Sequence, residues 1–555
     1  MRNRDNCFKL FFSIILLYVN VSPAYSQNFN DEGTPAQLAA IIESAMTDEQ
    51  ALAQLLMFGW VGETPSPLIM EWIRQRNIGG VKIFGWNTTD TIRLARTVGE
   101  LQQASLQGAF NIPLLIATDQ EGGLVRHIRG TTSETPGNMA IGASGYPRDA
   151  YLSGYYIGRE LALLGVNMNF APTIDLFTNR NSILIGPRAF GTDPVRAGIF
   201  GAAFVKGQLA AGVIPTAKHF PGHGDTHLDS HGVLPRVEIT YDTLWNRELV
   251  PYRMLVAEGL PAVMSGHLAF PLMESENAPA SLSSWFLRDV LRDRIGFSGV
   301  VITDDLMMNG ATSYLGVLSR TAKQAIAAGN DIIMFSSTPV LNDSIWNYLV
   351  DSLRNEEDFR RIVRSSARRV LELKLTYLKG PLSVPYIPDP AKVRAGLPDP
   401  EGSAFFLDLA GRSVTIVKPV PAGQVFPLTR ENSGRVLLAG RYNDFFIYGR
   451  IAFPGSMSYR YSAETEPSGI LSVARNVDTI IFCLADIVDL RILRYLQSLN
   501  KTVIVFSILS PVYIESVPWV TGVVAVYSYA PQSFAAGFSA ITGRIPAYGI
   551  LPYDF

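Results

Sequence analysis

The sequence predicts an α/β protein, a (β/α)8 TIM-type barrel followed by a smaller α/β sandwich domain. Three observations carry that prediction. Between about residue 50 and residue 336, eight short apolar runs bounded by turn residues alternate with helix-period segments. Strands alternating with helices build right-handed βαβ units and a parallel sheet, and eight units are the count that closes a barrel. No glycine-rich dinucleotide fingerprint follows the first run, which argues against the rival open, doubly wound sheet.

The runs, in order, are Gln54–Trp60, Gly80–Phe84, Pro113–Thr118, Val166–Phe170, Ile214–Lys218, Ala262–Gly266, Val300–Thr303 and Asp331–Phe335. The helical stretches between them are Ser66–Arg76, Thr89–Gln107, Pro147–Leu164, Asp193–Ala211, Tyr241–Glu258, Ser281–Arg294 and Tyr314–Ala328, with a last one at Glu356–Leu378. The prolines at 381, 385, 388, 390, 398 and 400 then read as a stiff linker over 380–402. Beyond it, apolar runs at Ser413–Val417, Arg435–Ala439, Thr479–Cys483, Thr502–Phe506 and Val523–Tyr527 read as buried strands. Helical patterns at Ile487–Leu499 and Gln532–Thr542 complete a second domain over 403–555, after a barrel over 27–379.

With 47% hydrophobic and 17% charged residues, the chain has the balance of a well-buried globular enzyme. A net charge of -2 without a basic, aromatic-interleaved stripe excludes nucleic acid as a partner. Arg2, Arg4 and Lys9 precede an apolar run from Leu10 to Val21, and Ala24-Tyr25-Ser26 offers small residues where a signal peptidase looks. Residues 1–26 therefore read as a signal peptide cut before Gln27, and the mature chain as periplasmic or secreted. The run is short of the roughly 20 apolar residues of a membrane span, so cleavage is favoured over an uncleaved anchor. Cys7 leaves with the signal and Cys483 remains alone, which leaves no intramolecular disulfide.

In such a barrel the site is built at the C-terminal ends of the strands. The polar residues there are Asp119-Gln120-Glu121 after the third run, Asn169 and Asp175 after the fourth, Lys218-His219 at the fifth, His267 at the sixth and Asp304-Asp305 at the seventh. All six histidines, at 127, 219, 223, 227, 231 and 267, fall in these segments. In the stretch Lys218–His231 four of them recur at intervals of four. Pro221, Gly222 and Gly224 rule out a helix there, so the spacing gives no metal-binding face and no metal is expected. Asp229 and His231 instead form a pair in which the carboxylate orients the imidazole for acid–base work near neutral pH. A pair kept for stability alone is the plainer reading of the same two residues.

The seventh run ends directly in Asp304, which puts a carboxylate at the mouth, able to attack an anomeric carbon. Asp305 points to the opposite side of the strand, and the spacing leaves the choice between them open.

The loop Lys218–His231, the strand end Ile302–Leu306 and Asp119-Gln120-Glu121-Gly122-Gly123 together resemble the β-N-acetylglucosaminidases of glycoside hydrolase family 3. The likeness spans the barrel and extends to Leu509-Ser510-Pro511-Val512-Tyr513 and residues 537–552 of the second domain. The resemblance implies a retaining glycosidase acting on terminal β-linked N-acetylglucosamine without a cofactor. It implies Asp304 as nucleophile, His231 as acid/base and Asp229 as its dyad partner. Asp119, Arg188, Lys218 and His219 are then sugar-binding residues, and His267 and Asp175 shape the pocket. One departure stands out: His127 occupies a position where the family often has an arginine, with Arg126 and Arg129 beside it as substitutes. Competing readings are a β-glucosidase or β-xylosidase of the same broad family, which lacks the Asp-Ser-His loop, and a non-catalytic sugar-binding protein. Export points to peptidoglycan fragments or chito-oligosaccharides as substrate.

Overall fold

The computed structural model describes residues 28–274, 277–418 and 426–554. The segment read as a signal peptide, Cys7 included, lies outside the described residues. Eight parallel strands close a barrel: β1 (Leu56–Gly59), β2 (Gly80–Ile83), β3 (Leu115–Thr118), β4 (Met168–Asn169), β5 (Ile214–Phe220), β6 (Ala262–Ser265), β7 (Val300–Asp305) and β8 (Ile332–Phe335). Their order around the barrel is their order in the chain, and β8 returns to pair with β1.

Side chains on a strand alternate between its two faces, and here that alternation sorts the core. Leu115 and Ala117 of β3, Ala262 and Met264 of β6, and Val300 and Ile302 of β7 fill the barrel interior. Their neighbours Ile116, Val263 and Val301 face outward, into the layer shared with the helices. Carrying the inward parity to the mouth of each strand reaches Lys82 on β2, Asp119 just past β3, Lys218 on β5 and Asp304 on β7. The apolar pattern that closes the barrel thus also points these four polar groups at one another.

The opposite end is plugged by a helix the sequence reading did not include, Pro35–Ala45. Thr34 caps it, and its Leu38 and Ile42 pack with Leu371 and Leu375 of the closing helix Glu357–Tyr377. The stretch 380–402, read as a linker, is partly helical. Pro390 opens the helix Pro390–Gly396 and Pro400 opens Pro400–Ser413, each with an aspartate cap. Proline in the first turn of a helix sacrifices no hydrogen bond, so two of the prolines that suggested a linker are helix starts.

The second domain is a six-stranded sheet of β9 (Thr415–Lys418), β10 (Val436–Gly440), β11 (Met457–Arg460), β12 (Thr479–Leu484), β13 (Thr502–Ser507) and β14 (Gly522–Ala525). The order is β9-β14-β13-β12-β10-β11, with only β9 antiparallel to its neighbour. Apolar clusters cover both faces, giving a three-layer α/β sandwich. The edge strand β11 went unpredicted because it is largely exposed and polar. Cys483 is buried in β12 as a free thiol. Among the described residues no helix is long and apolar enough to cross a membrane.

Candidate active site

The barrel mouth holds a buried chain of alternating charges. Lys82 pairs with Asp119, whose other oxygen accepts from Lys218 Nζ at 2.5 Å. Lys218 Nζ also reaches Glu121 Oε1 at 2.7 Å. Glu121 sits on a short hairpin just past β3 and takes two parallel hydrogen bonds from Arg188, at 2.9 and 2.7 Å. Arg188 Nη2 lies 3.4 Å from His219 Nε2, and His219 Nδ1 lies 2.7 Å from Asp175 Oδ2. Because an arginine only donates, this geometry puts the His219 proton on Nδ1, facing Asp175.

The electrostatics follow from that alternation. Burial alone would raise the Asp119 carboxyl, but Lys218, Lys82 and His127 hold it well below the usual range. Against the same cost of burial, Arg188 and Lys218 hold Glu121 at about 2, and His219 and His223 hold Asp175 at about 2. Buried charges persist only when paired and hydrogen-bonded in this way. The result is a fixed, buried set of charged donors and acceptors facing the barrel mouth.

The two aspartates of β7 have separate environments. Asp304 faces inward, and His219, His267, the Asp305 amide and Lys218 outweigh its burial to hold it below the ordinary value. Asp305 turns the other way, and its Oδ1 accepts from the Met307 and Ser336 amides, both at 3.0 Å. Burial raises the Asp305 carboxyl despite those bonds. One carboxylate is held ionised over the mouth, and the other ties down the loop behind it. His267 is buried below them, between Ser281 Oγ at 2.7 Å and the Asp305 carbonyl at 3.0 Å.

The loop after β5 needs its glycines. A Cβ on Gly224 would lie 1.7 Å from the Leu176 carbonyl oxygen, and Gly222 has φ +136° with Glu248 packed against it. Beyond them Asp229 Oδ1 meets His231 Nδ1 at 2.7 Å and the His231 amide at 2.9 Å. Both side chains of the pair are exposed. Ser230 between them is buried, and its carbonyl accepts from the Gly310 amide at 3.0 Å, which docks the loop on the corner just past β7. Among the described residues the pair shares no hydrogen bond or ion pair with Asp304 or with the buried charge chain.

The structure thus joins Asp119, Lys218, Arg188 and His219 into one network with Asp175, and brings the Asp229–His231 loop to the strand that carries Asp304. Two members were missed as candidates. Lys82 lies inside an apolar run rather than past it, so only its inward parity marks it. Glu121 was read as part of a motif without a role. His127 lies 3.3 Å from Lys82 Nζ, and burial and that lysine push it down to about 4, so it sits there neutral. Of its two neighbours, Arg126 pairs with Glu134 through Nη2 at 2.7 Å, and Arg129 is exposed with Nε on the Arg126 carbonyl. His227 is exposed, and among the described residues no cluster of three or more His, Cys, Asp or Glu side chains has the arrangement of a metal site.

A closed (β/α)8 barrel whose mouth gathers ionised carboxylates, cations and histidines is a frame for enzyme chemistry, and the relatives it matches make the protein a glycoside hydrolase. More particularly, the chain belongs to glycosyl hydrolase family 3, whose N-terminal domain matches residues 46–373. Its relatives include a β-hexosaminidase A of Pseudoalteromonas piscicida, 32% identical over 68% of this chain and 69% of that protein. A protein of Cellulomonas fimi described as a β-N-acetylglucosaminidase/β-glucosidase is 28% identical over 92% of this chain and 94% of its own. A family 3 β-N-acetylglucosaminidase from a Paenibacillus species shares the fold with a TM-score of 0.82 at 29% identity, over 92% of this chain and 99% of that one.

Proposed function

We propose that the protein is an exported, retaining, exo-acting β-N-acetylhexosaminidase that removes terminal β-linked N-acetylglucosamine from peptidoglycan fragments or chito-oligosaccharides. The observation that carries this reading is the Asp229–His231 pair at 2.7 Å, docked through Ser230 on the corner just past the strand that ends in Asp304. The names of the relatives from Pseudoalteromonas, Cellulomonas and Paenibacillus support the choice of sugar. Arg2, Lys9 and the Ala24-Tyr25-Ser26 segment support export.

In this mechanism Asp119, Lys82, Lys218, Arg188 and His219 hold the sugar hydroxyls and fix the ring over Asp304. His231, with its Nδ1 proton held by Asp229, gives a proton from Nε2 to the glycosidic oxygen while an Asp304 oxygen attacks the anomeric carbon. The aglycone leaves as an alcohol and the sugar stays as an ester of Asp304. Nε2 then takes a proton from water, whose oxygen attacks the same carbon and releases Asp304. Two inversions return a β-sugar.

The test compares nitrophenol release from the β-N-acetylglucosaminide and the β-glucoside by the mature chain, Asp304→Ala and His231→Ala. Preference for the N-acetyl substrate, abolished in Asp304→Ala, supports sugar and nucleophile together. Equal or greater activity on the glucoside transfers the protein to the β-glucosidase reading, a possibility raised by the double description of the Cellulomonas relative.

A further inference from the structure

The connection from β4 to the helix Pro194–Ala210 carries both Asp175 and Arg188, yet its only regular element is a single turn at Gly186–Arg188. A loop of that kind does not by itself hold a guanidinium in a fixed place. On the barrel side it is held by Asp175 and by Asn138, whose Nδ2 donates to the Arg188 carbonyl at 2.7 Å. Its other side is held by the second domain.

Those contacts are aromatic, hydrogen-bonded, ionic and apolar. The Phe177 ring meets the Tyr553 ring edge-on at 5.6 Å, and the Thr192 amide donates to the Pro552 carbonyl at 3.1 Å. Arg180 bridges two points beyond the barrel, Glu515 Oε1 at 2.6 Å and the Asp554 carbonyl at 2.8 Å. Gly186, two residues before Arg188, faces Ser510, whose Cβ is 3.8 Å from where a Cβ on that glycine would stand. Ile185 and Ala189, which flank the turn, share one buried cluster with Tyr527 and Tyr553. The backbone on both sides of Arg188 therefore rests on a core to which both domains contribute. Its side chain runs the opposite way, to Glu121 and His219.

We propose that the second domain is a positioning element of the sugar site. Through Ser510, Glu515 and the segment 549–554 it clamps the Phe177–Thr192 loop and fixes the Arg188 guanidinium against Glu121. This rests on the reading of Arg188 as a sugar-binding residue. A second domain that only packs against the barrel stabilises the chain without touching substrate affinity; a clamp on Arg188 sets KM. An interaction made equally in ground and transition states shows in KM with kcat nearly unchanged.

The experiment measures kcat and KM on the nitrophenyl β-N-acetylglucosaminide, with melting temperatures, for the full mature chain. Arg188→Lys keeps the charge but loses the paired hydrogen bonds, and it calibrates the site through a raised KM. Tyr553→Ala is expected to raise KM by about tenfold with kcat within about twofold, and Tyr553→Phe to restore it. Arg180→Glu, on the surface, is expected to raise KM by about threefold to fivefold, and adding Glu515→Arg to recover most of that loss. Lowered melting temperatures with a wild-type KM in both Tyr553→Ala and Arg180→Glu overturn the proposal. Should Tyr553→Ala not fold, the charge swap decides alone. An unchanged KM in Arg188→Lys instead brings down the sugar-binding reading of Arg188, and the clamp with it.

Discussion

Asp119→Asn tests the buried charge chain at its busiest point. The substitution keeps the shape of the side chain and removes the one negative charge shared by Lys82 and Lys218. Lys218 retains Glu121 at 2.7 Å. Lys82 is left with the Ile83 carbonyl and His127 Nδ1, each at 3.3 Å. Removing one partner of a buried ion pair costs about 3–5 kcal/mol. Lys82 can escape that cost by losing its proton. Measured from the unfolded chain's 10.5, a neutral Lys82 at pH 7 costs about 5 kcal/mol at about 1.36 kcal/mol per pH unit, a ceiling part of which the wild type, with Lys82 already depressed by burial, bears too. Deprotonation thus caps the loss, and the low end of the pair-breaking range, about 3 kcal/mol, is expected. With an unfolding entropy of about 2.1 cal/mol/K per residue over a barrel of roughly 330 residues, that is a drop of about 4 °C in melting temperature. The sign with pH is fixed as well. Burial already depresses Lys82 in the folded chain, and the variant depresses it further, while the unfolded chain keeps its proton up to about 10.5. The deficit against wild type must therefore narrow as pH rises toward 10. Loss of a charge-assisted hydrogen bond to substrate, about 1.5–3 kcal/mol, lowers kcat/KM by about 10- to 150-fold. Thermal unfolding at pH 7 and pH 10 and nitrophenol release read both effects. A melting temperature within about 1 °C of wild type at pH 7, with kcat/KM within about twofold, refutes the reasoning.

Two further predictions concern buried groups outside this charge chain. Burial, opposed by Arg247, raises the Glu248 carboxyl to about 7, so the native state holds its proton more tightly than the unfolded chain. Stability from that proton is complete below about pH 4.5 and is lost as pH rises to about 7, so Glu248→Gln should gain up to about 3 kcal/mol over wild type across that window; parallel denaturation curves at every pH would contradict this. Lys374, buried with Gln54 at 2.9 Å, is pushed down to about 7 by burial alone. Its penalty is complete below about pH 7 and fades toward pH 10.5, so Lys374→Met should raise the melting temperature at pH 6 and gain less at pH 9; a lower melting temperature at pH 6 would show that its bond to Gln54 outweighs the cost of burying the charge.

The barrel was legible because its eight strands are nearly continuous apolar runs, and strands covered on both faces need little else. Asp304 followed from the seventh run, and its inward parity with Val300 and Ile302, opposite to that of Asp305, supports it as the proposed nucleophile. The same parity, counted from Val81 and Ile83, marks Lys82 as inward, but a search confined to residues past each run steps over it. The edge strand Met457–Arg460 carries too little apolar signal to be seen, and the helix starts at Pro390 and Pro400 were hidden by the tie between proline and loops. The docking of Ser230 on Gly310 and the contacts of Arg180 with Glu515 and Asp554 join parts of the chain far apart in sequence. No local pattern encodes them; the first exists only once the barrel has closed, the second only once the two domains have packed.

The histidines show why the proposed proton shuttle lies outside the buried network. His127 and His223 are both pushed down to about 4, burial being the largest cause in each, and burial lowers His267 too. A histidine that must give a proton to the leaving oxygen in one half-reaction and take one from water in the next has no use for such a place, because it would stay neutral throughout. The charge chain from Lys82 to Asp175 needs burial to be rigid, and burial at the same mouth keeps His127, His223 and His267 neutral and out of acid–base exchange. The two demands are met together only if the donor is carried on a separate loop, open to solvent and held by its own carboxylate. His231, exposed at 2.7 Å from Asp229 and tethered through Ser230 beside the strand of Asp304, is the one histidine in the barrel with that arrangement.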